Sequence, residues 1–153
     1  MSTHFAEVLA REKISLSGVT DRPKLACWRR RVVVELMTPR SPYSLALQSS
    51  DDARDRADFL DQWGDLIAVA VDRLAQADVA SEASLPNAPA HTVGIEARRT
   101  AVLILAALHG GSTLSQLARD PRPLDAALDL ALAPFTASAG NSPARTGSEF
   151  PTQ

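Results

Sequence analysis

The sequence predicts an all-α fold, and three features carry that expectation. Alanine and leucine supply most of the apolar content, whereas aromatic residues make up only 5% of the chain, a bias toward helix over strand. Apolar residues recur at helical spacing through several long stretches. Prolines also fall where a helix can begin, as in Asp21-Arg22-Pro23 and Asp120-Pro121-Arg122-Pro123, positions where the missing N–H is harmless. The expected architecture is a bundle of about five to six helices.

The 153 residues are one domain's worth of sequence,. A hydrophobic content of 45% with 22% charged residues suffices for a sizeable core,. A net charge of −2 offers no electrostatic ground for nucleic-acid binding. The single cysteine, Cys27, excludes an internal disulfide and makes no metal site by itself,. Residues 1–7 carry no basic segment followed by an apolar one, so no secretory signal is expected and the cytoplasm is the default,.

The first helix is expected over Phe5–Lys13, capped by Ser2 or Thr3, with Phe5, Val8 and Leu9 on one face,. Ile14–Thr20 reads as a break. Pro23 then leaves no room for the second helix of a helix-turn-helix. Asp21 caps a helix from Lys24 to about Met37 with Leu25, Trp28, Val32, Leu36 and Met37 inward,. Arg29, Arg30 and Arg31 fan over about 200° of that helix, which favours a solvated face over a phosphate site. Val32-Val33-Val34 favours a strand, but its neighbours override it. Thr38-Pro39 ends the helix.

Ser44–Leu47 allows one or two helical turns. A long helix, Asp52 to Ala77, is expected behind a Ser49 or Ser50 cap, with acidic residues near its positive end,. Its apolar row of Ala57, Leu60, Trp63, Ile67, Val71 and Leu74 is joined by a second, Phe59, Leu66 and Ala70. That stripe is wider than one partner helix covers. Asp55, Asp58, Asp61 and Asp65 lie around the outer face rather than converging as cation ligands must. Residues 78–94 contain two prolines and lose the pattern, giving a loop of roughly 15 residues, expected to be mobile. Leu124, Ala127, Leu128, Ala131, Leu132 and Phe135 mark a last amphipathic helix. A disordered tail is expected over 138–153.

The most informative stretch is Ala97 to Leu117. It holds eight consecutive apolar residues, Ala101 to Leu108, followed by His109-Gly110-Gly111. Eight are too few to cross a bilayer, which needs roughly 20. Two readings of its glycines stay open. Either a buried helix ends at Gly110-Gly111, or it continues to Leu117 and the small residues Ala106, Ala107, Gly110 and Gly111 admit another backbone. A glycine inside a helix costs about 1 kcal/mol, so a continuous helix needs a contact there.

Catalytic and metal patterns are missing. The histidines, His4, His91 and His109, form no paired spacing, so a structural zinc site is not expected,. There is no glycine-rich phosphate loop and no nucleophile elbow. No enzyme activity and no cofactor are expected.

Four segments together resemble the C-terminal regulatory domain of TetR-type transcriptional regulators. Phe59-Leu-Asp-Gln-Trp63-Gly-Asp-Leu-Ile is similar to a family helix with a central tryptophan. Thr100-Ala-Val-Leu-Ile-Leu-Ala-Ala-Leu-His-Gly110-Gly111 resembles an "AxLLAALQGGLLLA" helix. Arg119-Asp120-Pro-Arg-Pro-Leu-Asp-Ala-Ala-Leu-Asp resembles an "RDPxPLxxALD" ending, and Ser41-Pro42-Tyr43-Ser44-Leu45-Ala46 resembles a "CPxGSLA" segment with serine in place of cysteine and glycine. The resemblance covers about Leu25 to Phe135. It implies an N-terminal arm over 1–22 with a short helix, a regulatory domain over 23–137, and then the tail.

The resemblance further implies a homodimer, with Ala106, Ala107, Gly110 and Gly111 at the interface. It places Trp28, Met37, Tyr43, Phe59, Trp63 and Ile67 around a cavity for a small lipophilic effector, and His109 or Arg98 would orient it. The alternative is that these large residues simply fill the core. A TetR-type repressor begins with a DNA-binding domain of some 45 to 50 residues, and only about 20 precede the matching region here. The family's Gly-Val-Ser turn and Tyr-x-x-Phe pattern are missing. The expectation is therefore a truncated or stand-alone regulatory domain that binds neither DNA nor membrane. A helical dimer with no small-molecule ligand is the alternative.

Overall fold

The computed structural model describes residues 2–50, 52–82 and 93–136. The all-α expectation holds: these residues form seven helices and no strand. They are α1 (Thr3–Ser17), α2 (Arg22–Met37), α3 (Pro42–Gln48), α4 (Ala53–Glu82), α5 (Ile95–Ala118), α6 (Arg122–Ala131) and α7 (Ala133–Thr136). The seventh is a single turn that extends the α6 segment.

α1 begins on the Ser2 hydroxyl, which accepts from Phe5 N at 3.4 Å, and runs four residues past Lys13. The extension follows from one stripe. Phe5, Val8, Glu12 and Leu16 are all buried and share a face,. A glutamate in that stripe hides it from a hydrophobicity reading, so the expected break at Ile14 does not occur. α1 packs on α3 and α4. The segment expected as an arm thus belongs to the common core.

Asp21 caps α2 by accepting from Lys24 N at 2.8 Å, with Pro23 in the first turn. Val32–Val34 are helical, as expected. Ser41 caps α3 through Ser44 N at 3.1 Å. The start of α4 departs from expectation: Asp52, not Ser49 or Ser50, accepts from Arg54 N at 3.3 Å. α4 also takes in residues 78–82. From α4, Arg73 donates to the carbonyls of Leu16 and Val19 at 3.2 Å each, tying the end of α1 and the turn after it to α4. The rest of the expected loop, residues 83–92, and the tail beyond 136 lie outside the described residues.

α5 is the central helix, packed on α4 and α6. It continues through Gly110-Gly111, so the reading in which the helix ended there is set aside. The eight-residue apolar run thereby sits in a 24-residue helix that is, by length and composition, long and apolar enough to cross a membrane. Its inner face, including Ala97, Ala101, Ile104 and Leu108, is packed within the chain as in a core helix. α5 stops where Arg119 turns left-handed, at φ 53°, and Asp120 N donates to Ser115 O at 3.0 Å. The buried Ser115 hydroxyl accepts from Leu124 N at 2.9 Å, fixing the α5–α6 corner.

Candidate functional site

Three of the residues expected to surround an effector do converge, but on a group of the protein itself. Glu12 is fully buried. Its Oε2 accepts from Trp28 Nε1 at 2.9 Å and Trp63 Nε1 at 3.1 Å. Its Oε1 accepts from the Tyr43 hydroxyl at 2.7 Å and from Arg31 Nη2 at 2.6 Å. Arg31 also donates to the Tyr43 oxygen and to Ser15 Oγ, each at 2.9 Å. A buried carboxyl group is tolerable only with partners of this kind. Burial, followed by the Glu12 charge, pushes the Tyr43 hydroxyl well above its ordinary pKa.

Phe59 and Ile67 are core residues. Phe59 stacks on Phe5 with centroids 4.5 Å apart and lies against Trp63. Met37 is half-buried and lies apart, on a cleft near the end of α2. His109 is exposed on the outer side of α5, so it takes no part in the interior. Arg98 is exposed and faces Asp65 across 3.6 Å. The expected constellation is therefore divided, and its interior part is filled by Glu12. What opens between α4 and α5 is a shallow groove of about 180 Å³ beside Gly64 and Leu105.

Sequence reasoning missed Glu12, although its place between Val8 and Leu16 on an apolar stripe was the available signal. Missing Glu12 also misplaced the arginines. Arg31 is not on a solvated face but is bound to Glu12, and Arg29 pairs with Asp125 and Asp129 of α6. Only Arg30, beside Cys27, fits the solvated-face expectation.

The small-residue patch also divides. A Cβ added at Gly111 would stand 2.9 Å from the Leu124 Cα, whereas one at Gly110 meets nothing within 4 Å. Ala107 and Gly111 are buried; Ala106 and Gly110 are exposed. One half thus admits α6, because residues one apart on a helix point about 100° apart.

The exposed half continues into an apolar stripe. Val102, Leu103, Leu114 and Leu117 on α5 are exposed, as is Leu130 on α6, with Leu117 79% and Leu130 81% accessible. No charged residue occurs between Arg99 and Arg119. The stripe follows the length of the helix, with Ala106 and Gly110 as a shallow saddle between Leu103 and Leu114. Comparison of the chain with known protein families, with curated proteins and with solved structures gives no match.

Proposed function

We propose that this chain is a self-associating regulatory domain of the TetR-like type, a homodimer built through α5 and α6. One observation carries the reading: an apolar stripe on the outer side of α5, free of Asp, Glu, Lys and Arg between Arg99 and Arg119, with the Ala106–Gly110 saddle at its centre. A twofold contact must be complementary to itself, and a helix with a central saddle between leucines can cross a copy of itself closely. A charged partner would gain nothing on this face. The order of the four family-like segments supports the regulatory part of the reading.

The filled interior favours a second version of the same domain, an interaction module that carries no effector between α4 and α5. Neither version uses DNA-reading residues. Among the three helix arginines, Arg29 and Arg31 are already engaged, leaving little cation for phosphate neutralisation,. No sequence-specific shift of duplex DNA by residues 1–153 is expected at physiological salt.

Sedimentation at micromolar concentration tests the dimer, and a monomeric wild-type chain would refute it. Gly110→Leu adds bulk where the single chain has open space, so it should yield a folded monomer. A solved dimer whose contact is made by α1–α3 instead of α5 and α6 would overturn the TetR-like arrangement.

A further inference from the structure

We infer that the cleft between the α2–α3 turn and the end of α5 is a binding site for an amphiphilic monoanion, a carboxylate on an apolar body. The cleft has a volume of about 590 Å³, within the range of small-molecule sites. It is distinct from the Glu12 interior and from the outer stripe of α5, and it stands whether or not the chain dimerises.

Its lining has two parts. Leu36, Met37 and Leu45 supply apolar surface, while Arg40 and Arg119 bring cations from opposite sides of the sequence. No carboxylate lines the cleft, and neither arginine forms an ion pair with a described residue. The Gln116 side chain donates to Leu36 O at 3.1 Å and accepts from Gln48. This bridge ties α5 to α2 and α3, so the cleft is formed before any ligand arrives.

The backbone adds a second, independent observation. Among the described residues, the non-glycine positions with positive φ are Arg40, at 61°, and Arg119, at 53°, and both line this one cleft. The left-handed region costs an L-residue about 1–2 kcal/mol. Glycine would close the α5 terminus or the α2–α3 turn without that cost. Arginine at both places puts two guanidinium groups, suited to carboxylate recognition, beside an apolar floor. Strain of this kind is retained where the side chain has a task.

Decanoate is the probe, with decanol and inorganic phosphate as controls, followed by calorimetric titration and thermal shift on the full chain. Decanoate should bind and raise the melting temperature, and its affinity should fall as salt screens the arginines. Decanol and phosphate should each bind at least about tenfold more weakly, since each lacks one half of the recognition. Arg119→Gly and Arg40→Gly relieve the backbone, so each should fold at least as well as wild type while losing about tenfold in decanoate affinity. Arg54→Ala, away from the cleft, should change nothing. No decanoate binding, equal binding of decanol or phosphate, or full affinity in the Arg40→Gly/Arg119→Gly double variant would each overturn the inference. Sedimentation of the same samples reports the dimer separately.

Discussion

Two regions of this molecule invert the usual rule of apolar inside and polar outside. At Glu12 a carboxyl group lies where a leucine is expected, and along outer α5 leucines lie where charges are expected. The difference between them is completion. Glu12, on α1, has partners from α2, α3 and α4, so its inversion is resolved within the chain. The α5 stripe has none among the described residues, and its resolution needs a second surface. Each inversion predicts that removing the partner is costly, but only the first cost should appear in the stability of a single chain.

The largest effect is expected at Glu12. Glu12→Ala leaves two indole N–H groups, the Tyr43 hydroxyl and Arg31 without their acceptor. Breaking a buried pair from one side costs about 3–5 kcal/mol. Urea denaturation followed by tryptophan fluorescence should show that loss, and a change below about 1 kcal/mol would mean the network is not holding the interior.

The same region has a pH signature. Tyr43 is the one tyrosine, and its hydroxyl is held above its ordinary value in the fold. A raised folded pKa contributes stability that is present below the unfolded value, near pH 10, and is lost as pH rises above it. Phenolate absorbance should therefore lag the ordinary tyrosine titration and rise together with unfolding. Ordinary titration in a chain that stays folded would contradict the buried Tyr43–Glu12 bond.

Next in size is Gly111→Ala, which tests the closed face of α5. The new methyl would meet the Leu124 backbone at 2.9 Å, and a backbone cannot move aside as a flexible side chain can. Overpacking of this sort costs about 1–3 kcal/mol, less the gain in helix propensity. On the open face, Leu114→Arg should leave the monomer's helix content unchanged while raising the dimer dissociation constant at least about tenfold, or 1.4 kcal/mol. Unchanged association after placing a charge in the stripe would move the interface elsewhere.

Much of the fold was legible because caps and periodicity are local. Asp21 and Pro23 mark a helix start that the structure keeps, and the apolar row of α4 gives its type and, from Trp63 to Leu74, its inward face; the Ser41–Pro42 start of α3 is legible only in the structure. What was not legible depends on partners distant in sequence. Nothing near Glu12 says that Trp28, Tyr43 and Trp63 will come to it, so local pattern alone ends α1 at Lys13 and leaves the aromatics free for an effector. Likewise, one small-residue patch cannot be divided between α6 and open space until the phase of α5 is known. The cleft was invisible for the same reason: Met37, Arg40 and Arg119 meet only through the α2–α5 packing.

The smallest predicted effect is also the cleanest comparison, because it is the same substitution one residue away from Gly111. At Gly110 a Cβ meets nothing within 4 Å, so in the single chain Gly110→Ala meets no steric opposition. Replacing glycine by alanine inside a helix gains about 1 kcal/mol, and the denaturation midpoint of the monomer at high dilution should rise accordingly. In a dimer the same methyl enters the saddle that lets two α5 helices approach, so the gain should shrink as protein concentration rises, since binding to the folded form links stability to concentration. A gain that is identical at every concentration would place Gly110 outside any contact between copies. A loss at high dilution would mean that the outer face of α5 is already covered by the chain itself.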